Sequence, residues 1–175
     1  MDEHPYVQLA RQAIERYVKD NELIRPDAEP GDPPPVALFV SIHERPEPGE
    51  AEGRLRGCIG STVPTEPTLR SQIARLAVSA AVSDPRFPPL TPGELEGLDI
   101  TVYLLGEREQ VADLSQLDPA RYGVIVEKHG RIGLLLPAIP SITTPEQQVA
   151  IARQKGRFRP DEDLAMYRFE ATILH

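Results

Sequence analysis

Two pairs of short apolar runs, each joined by a polar turn, constrain most strongly how this chain can fold. The first pair spans residues 36–42 and 55–60 around a turn at 45–53, and the second spans 124–127 and 132–136 around a turn at 128–131. Short apolar runs separated by such turns are typical of antiparallel β-hairpins. The sequence therefore predicts two hairpins, which favours a largely antiparallel sheet over repeated βαβ units.

Two further segments in the first half of the chain show helical periodicity. Apolar residues recur at helical spacing between 7 and 18, and Pro5 suits the first turn of such a helix. A second stripe of apolar residues covers 69–81. We take Thr65 as the N-cap of this second helix and the segment 83–87 as its end, because the residue before a proline resists helical geometry.

The remaining elements follow from capping and alternation patterns. Residues 91–94 form a capping box for a short helix, and a similar pattern at Thr144 begins a third main helix that ends near Gly156. Residues 100–105 read as a strand, and 166–174 alternate as one half-solvated strand. We therefore expect an α+β fold with a largely antiparallel sheet flanked by helices. The sequence shows no convincing internal repeat.

The overall composition narrows the class of protein. A chain of 175 residues with 40% hydrophobic content is long enough for one domain with a proper core. The net charge of −8 repels phosphate backbones, so we expect no general nucleic-acid binding. There is neither a long apolar run nor a signal-peptide pattern, and one cysteine allows no internal disulfide. These features predict a cytoplasmic protein.

The segment around the single cysteine is the main candidate for chemistry. In a regular strand Arg54, Arg56 and Cys58 share one face, and a cation beside a thiol favours the nucleophilic thiolate. Gly57 and Gly60 remove side-chain bulk, so another backbone or a ligand can come close. The alternative is that Cys58 is a buried residue that fills the core, as unpaired cysteines often do.

His43 ends the strand that is expected to pair with the strand of Cys58. A histidine there is a candidate base for the thiol, although the sequence leaves the pairing register open. Other catalytic motifs are absent from the sequence: there is no phosphate-binding loop, dinucleotide fingerprint, zinc motif or hydrolase Gly-x-Ser-x-Gly.

The segment Asp84-Pro85-Arg86-Phe87 has two interpretations. In the first it ends a helix: Asp84 bonds nearby backbone and Phe87 fills the core. In the second, Asp84 and Arg86 form a charged pair at a cleft, and Arg86 holds an acidic ligand. Glu94 is most simply the acid of the capping box.

Several of these segments together resemble the AMMECR domain family. Its signature, Leu-Arg-Gly-Cys-Ile-Gly, stands unaltered at 55–60. The further matching blocks are Phe39-Val40-Ser41-Ile42, Asp84-Pro85-Arg86-Phe87, Glu94-Leu95, Tyr122 to Val126, Gly133 to Pro137, and Thr144, Gln148, Ala152 and Lys155. The resemblance covers residues 5–173, which we treat as a single domain. One departure is Lys155-Gly156-Arg157, where the prokaryotic branch usually has Lys-Ala-Gly, so we expect an altered turn.

The resemblance implies a larger and a smaller lobe, with the signature at or near a cleft between them. It also implies the prokaryotic branch, protein A of the AmmeMemoRadiSam system, whose usual neighbours are a Memo-like protein and a radical S-adenosylmethionine protein. This chain has no His/Glu metal site and no cysteine triplet. We therefore expect no cofactor or metal here, and such chemistry would belong to the partners.

Two functional hypotheses remain. In the first the protein has a thiol-dependent activity with Cys58 and Arg56 as catalytic residues. The residues expected to bind the ligand are Gly57, Gly60, Asp84, Arg86 and Glu94. In the second the protein is a non-catalytic binding or adaptor module, and Cys58 is structural. The accessibility and reactivity of the thiol separate the two.

Overall fold

The computed structural model describes residues 3–46, 48–49 and 53–175, and within them it has three α-helices and eight strands. In chain order these are α1 (Pro5–Asp20), β1 (Leu38–Glu44), β2 (Leu55–Ser61), α2 (Leu69–Val82), β3 (Leu98–Leu105), β4 (Glu109–Val111), β5 (Gly123–Lys128), β6 (Arg131–Leu135), α3 (Pro145–Lys155), β7 (Ala165–Phe169) and β8 (Ala171–Leu174). Short 3₁₀ helices cover Pro92–Gly97 and Leu114–Gln116. The α+β class and both antiparallel hairpins are confirmed.

The chain divides into two compact units. The first unit comprises the chain up to Leu104 together with Ile173–His175, and the second unit comprises Leu105–Thr172. The sequence left this boundary open. Among the described residues, none of the helices combines the length and apolar character needed to cross a bilayer.

The first unit packs α1 and α2 on a four-stranded sheet with the order β2-β1-β3-β8. Its core is aliphatic, as expected for a chain without tryptophan. The core includes Ile14 from α1, Val40 and Ile42 from β1, and Ile73 and Leu76 from α2. These residues lie at helical spacing on the helices and at alternate positions on the strand, so one stripe of each element is buried.

The second unit has its own core and its own sheet, with the order β4-β7-β5-β6. Helix α3 packs on this sheet, and the core joins Val124 and Val126 of β5 to Val149 and Ala152 of α3, with Phe158 beyond the helix. All three strand pairs of this sheet are antiparallel.

The two units follow the same path through a hairpin, a helix and a third strand. In the first unit β3 follows α2 and pairs with β1, the first strand of the hairpin. In the second unit β7 follows α3 and pairs with β5, again the first strand of the hairpin. No sequence repeat accompanies this duplication, since the likeness lies in the order and pairing of the elements.

A glycine in the second strand of each hairpin lets the helix approach closely. A Cβ on Gly57 would overlap the carbonyl oxygen of Ala80 in α2. A Cβ on Gly133 would overlap the carbonyl oxygen of Ala152 in α3. Both positions therefore require glycine because helix backbone occupies the space of a side chain.

A buried glutamine near the start of each helix ties the helix to its hairpin. Gln72 donates from Nε2 to the carbonyl of Val36 (2.8 Å), and its Oε1 accepts from the Thr65 N–H (3.0 Å). Gln148 donates from Nε2 to the carbonyl of Tyr122 (2.6 Å). Both side chains are fully buried. In the described part of the chain, the Oε1 of Gln148 finds no donor.

The predicted start of the second helix is wrong by three residues. The N-cap is Thr68, not Thr65, because the Thr68 hydroxyl accepts from the Ser71 N–H and Ser71 bonds back to the Thr68 backbone. Thr65 has a different role, since its N–H bonds Gln72. The helix ends at Val82, one residue before the predicted segment 83–87, and Ser83 is its C-cap.

The predicted C-terminal strand is also wrong in part. Burial alternates as expected only from Phe169 to Ile173, and the extended segment is split at Glu170 into β7 and β8, which belong to different sheets. The three-residue strand β4 had no sequence signal. Of the turn predicted at 45–53, residues 47 and 50–52 lie outside the described residues.

Candidate functional site

The signature segment forms β2, an edge strand of the first sheet. Cys58 pairs with Ser41, Gly57 with Ile42, and Leu55 with His43, so Arg56 is an extra residue where the register shifts. This bulge interrupts the alternation that the sequence predicted for Arg54, Arg56 and Cys58.

Cys58 lies on the face of the sheet opposite α2. Gly57 faces α2, and neighbouring strand residues point to opposite faces. The Cys58 residue is partly exposed. The thiol therefore lies outside the interface between the sheet and the helices of this unit.

Asp84 fastens the segment after α2 to the backbone of Cys58. One carboxylate oxygen accepts from the Cys58 N–H (2.9 Å), and the other accepts from the backbone N–H of Arg86 (3.0 Å). The side chain of Asp84 is 2% exposed. Asp84 thus satisfies an edge amide of β2 that lacks a strand neighbour, which protects the sheet edge.

Arg86 completes this contact with a charged group. Its Nε and Nη2 bond both carboxylate oxygens of Asp84 (3.0 and 2.7 Å), and Nη2 also donates to the Cys58 carbonyl (3.4 Å). These bonds lower the pKa of Asp84 to about 2, with the Arg86 side chain as the largest cause and the Cys58 N–H as a smaller one, against the effect of burial. Hydrogen bonding to Asp84 raises the pKa of Arg86, and the charge of a Cys58 thiolate adds to the rise.

The two backbone groups of Cys58 define how its side chain meets β1. Both the N–H and the carbonyl of Cys58 point to the open edge, toward Asp84 and Arg86. In an antiparallel pair, a residue whose backbone groups point away from its neighbour forms the non-hydrogen-bonded type of pair, in which the side chains lie closer. Cys58 and Ser41 therefore form such a pair.

Arg56 has a different environment from the one the sequence predicted. Its Nε bonds Glu94 (2.7 Å), and its two terminal nitrogens bond the carbonyls of Pro88 (2.8 Å) and Pro89 (3.4 Å). The side chain is 10% exposed. Arg56 thus fastens the proline-containing loop and the following 3₁₀ helix to β2, and these bonds do not direct its charge at Cys58.

Glu94 joins two structural roles. Its second carboxylate oxygen accepts from the backbone and hydroxyl of Thr91, which confirms the predicted capping box. The Arg56 bond is the largest cause that lowers the pKa of Glu94. Within unit one, Glu94 is therefore held by Arg56 and Thr91 together.

Other expected contacts differ from the sequence interpretation. The space above Gly60 is filled by the Phe39 ring, and that above Gly57 by α2, so atoms of the chain itself take the room that a ligand was expected to use. Phe87 does not fill the core: it is partly buried and lies beneath the Arg86 guanidinium (5.4 Å to the ring centre), while Leu90 is buried instead.

His43 lies on the same face as Ser41, one position further along that face of β1. The Ser41 Oγ and the His43 Nδ1 are 3.5 Å apart. The register that the sequence left open thus places Ser41, rather than His43, directly opposite Cys58.

Cavities in the described part of the chain lie elsewhere. One of about 610 Å³ in the second unit is lined mainly by apolar residues, including Val149, Phe158 and Met166. Another of about 570 Å³ in the first unit lies between α2 and the segment around Ile24. In the described residues, no group of three or more acidic, histidine or cysteine side chains is placed to hold a metal ion.

The fold and site together define an α+β protein of two hairpin–helix–strand units, with one thiol beside an ion pair. The chain belongs to the AMMECR1 family, whose model matches residues 7–174. A Thermotoga maritima protein is 43% identical over 171 residues, which cover 95% of each chain.

Two further relatives bear on the length and the fold. A Clostridium acetobutylicum protein is 35% identical over 175 residues, which cover 98% of this chain but 36% of that protein. The crystal structure of a Pyrococcus horikoshii protein, 34% identical, matches with a TM-score of 0.84 over 96% of this chain and 88% of that one. The predicted family and fold class are confirmed.

Proposed function

We propose that Cys58 is the reactive thiol of a ligand site on the face of the first sheet opposite α2, and that Arg86 is its cation. The observation that carries this proposal is the double contact at β2: Asp84 holds the Cys58 amide while Arg86 bonds the Cys58 carbonyl. A fixed cation beside a thiol favours the thiolate, which is the nucleophilic form. Arg86 takes the role that the sequence analysis gave to Arg56.

Arg86 also suits recognition of an anionic group. Its side chain is 51% exposed, and the bonds to Asp84 use Nε and Nη2, so Nη1 lies outside the ion pair. Guanidinium groups bind carboxylates and phosphates well. We therefore propose a ligand with an anionic group, held beside the thiol.

The proposal includes partner proteins. In the Clostridium acetobutylicum relative, the matched region is 36% of a longer chain, so there the unit accompanies further sequence. This supports a function in concert with other proteins, and we propose the Memo-like and radical S-adenosylmethionine proteins implied by the family resemblance, in the cytoplasm. The test is to co-express the tagged chain with each candidate partner and to capture the tagged chain. If neither candidate elutes together with the tagged chain, the proposed partnership is contradicted.

A non-catalytic adaptor module is the second candidate. It is favoured by the bonds of Arg56 and Asp84, which fasten loops to β2 and would hold a purely structural segment equally well. In that case Cys58 would be packed and inert, and Arg86 would serve the sheet edge alone.

Alkylation of the single thiol by iodoacetamide separates the two candidates. We expect Arg86→Gln to lower the alkylation rate at pH 7 about tenfold. Loss of the cation should raise the midpoint of thiolate formation by about one pH unit, which gives a change of this size. Arg108→Gln is the matched control, because Arg108 is also half-exposed, ion-paired and stacked on an aromatic ring, but in the second unit. Equal rates for folded wild type and Arg86→Gln would contradict the proposal and favour the adaptor.

A further inference from the structure

A row of polar side chains crosses the first sheet on the face opposite α2. Cys58, Ser41 and Thr101 are paired directly across β2, β1 and β3. Ser41 is 4% and Thr101 is 9% exposed, whereas Val40 and Ile42 on the other face of β1 are apolar core residues. Burying a hydroxyl is unfavourable unless it is hydrogen-bonded, so such a row calls for a physical role.

Ser41 is the member of the row that lies closest to the thiol by register. The pair it forms with Cys58 is of the non-hydrogen-bonded type, because the backbone of Cys58 is engaged at the other edge by Asp84 and Arg86. In such pairs the Cα atoms are about 4.5 Å apart and the side chains are close. The register thus makes the side chains of Ser41 and Cys58 cross-strand neighbours on this face of the sheet.

Ser41 also contacts a group that can take a proton. Its Oγ is 3.5 Å from the Nδ1 of His43, which is partly exposed. If Nδ1 is the acceptor, the ring proton is on Nε2. Catalytic hydrogen bonds are often long in the absence of ligand, so this distance suits a bond that tightens on binding.

We infer that Ser41 is a positioning residue that relays a proton from Cys58 to His43; this inference rests on the proposed role of Cys58. The S–H bond breaks and its electron pair stays on sulfur. The proton passes to the Ser41 oxygen while the hydroxyl proton of Ser41 passes to Nδ1 of His43. The result is a thiolate–imidazolium pair with Ser41 unchanged, and the step needs no oxidant or reductant.

The charged groups around this pair come from each neighbouring element. On β3, Asp99 lies opposite His43 and bonds Arg45. On β1, Glu44 bonds Arg54, and at the edge of β2 lie Asp84 and Arg86. At the C-terminus, His175 contacts Thr101. Asp99 carries its negative charge opposite His43, and the positive charge of Arg86 lies at Cys58. The surroundings therefore support both charges that the transfer creates.

The test is the pH profile of Cys58 alkylation by iodoacetamide in the full chain. Because the thiol and the imidazole share a proton, wild type should show two inflections. Ser41→Ala and His43→Gln should each show one inflection and a rate at pH 7 about tenfold lower, while Ser41→Thr, which keeps the hydroxyl, should restore the wild-type profile. Thr101→Val is the matched control, since it removes a buried hydroxyl one strand further from the thiol, and its profile should match wild type.

A second measurement requires no change at Ser41. The titration of the His43 ring, followed by NMR, should shift in Cys58→Ser. An unshifted titration, or a wild-type profile in Ser41→Ala, would overturn the relay even if Arg86 still governs the thiol. Alkylation of wild type only after denaturation would instead overturn the proposed function together with the relay.

Discussion

The two units of this protein are built on one plan but carry different residues at the equivalent places. Each places a glycine of the hairpin against a helix backbone, at Gly57 and at Gly133. The next residue is Cys58 in the first unit and the buried Leu134 in the second. The shared glycines are explained by packing, so the residues that differ are where a function specific to the first unit is to be sought.

The segments after the helices differ in the same way. After α2, Asp84 and Arg86 return to β2 with an ion pair at Cys58. After α3, Phe158 packs against Gly156, and Arg131 of β6 stacks on the Phe158 ring (4.5 Å) and pairs with Glu162 (2.9 Å). Both units thus have an ion pair at the second strand of the hairpin, but the pair of the first unit lies at a thiol and that of the second lies at a phenylalanine ring.

The largest expected effect comes from replacing the glycine that each unit places against a helix backbone. Gly57→Ala and Gly133→Ala should each lower the free energy of unfolding by about 3 kcal/mol, because the new methyl group meets helix backbone that cannot rotate away. Chemical denaturation measures this. Gly93→Ala is the control, since the space around Gly93 is open. A loss at Gly57 with none at Gly133 would break the structural equivalence of the units.

The buried glutamines should show a graded difference. Gln72→Met leaves both the Val36 carbonyl and the Thr65 N–H without their partner and should cost about 2 kcal/mol. Gln148→Met removes one bond together with an oxygen that has no donor, so about 1 kcal/mol is expected. Denaturation of the two variants gives the comparison, and a larger loss for Gln148→Met would contradict it.

Acid should weaken the first unit through Asp84. Its pKa is about 2 when folded, below the ordinary 3.8, so its stabilisation is complete above about pH 4 and is lost as the pH falls toward 2. We expect a loss of about 1 to 2 kcal/mol over this range. When the free energy of unfolding is measured against pH, this step should be absent in Asp84→Asn. The step should remain in Glu146→Gln, which removes an acid of the second unit; an unchanged step in Asp84→Asn would contradict the assignment.

The smallest effect is expected at the turn after α3. Arg157 has a φ of 55°, in the left-handed region, where a side chain is unfavourable and glycine is not. Arg157→Gly should therefore raise the free energy of unfolding by about 0.5 kcal/mol, after allowance for the greater freedom of the unfolded chain. Arg157→Ala keeps the strained backbone and serves as control; equal stability of the two variants would argue against strain.

Local patterns predicted the elements well and the site less well. Capping boxes at Thr91 and Thr144 and alternation in the hairpins depend on neighbouring residues, so the sequence shows them. The bulge at Arg56 and its bond to Glu94 depend on residues 38 positions apart. No spacing rule could have separated Arg56 from Cys58.

Two features of the site were only partly predicted from the sequence. The prediction that Asp84 bonds nearby backbone was correct in kind, but the decisive acceptor contact, to Cys58, spans 26 positions. Ser41 was part of a matched block without a role of its own. Its place opposite Cys58 follows from the pairing register of β1 and β2, which the sequence leaves open.

The proposed function depends most on whether the Cys58 thiol is accessible and reactive. The rate at which iodoacetamide alkylates wild-type protein, measured across pH in the folded and the denatured state, tests this directly. We expect the folded protein to react at neutral pH with a midpoint well below the ordinary value of about 8.5, and the denatured protein to show that ordinary value. Reaction only after denaturation would contradict the account and make Cys58 a structural residue.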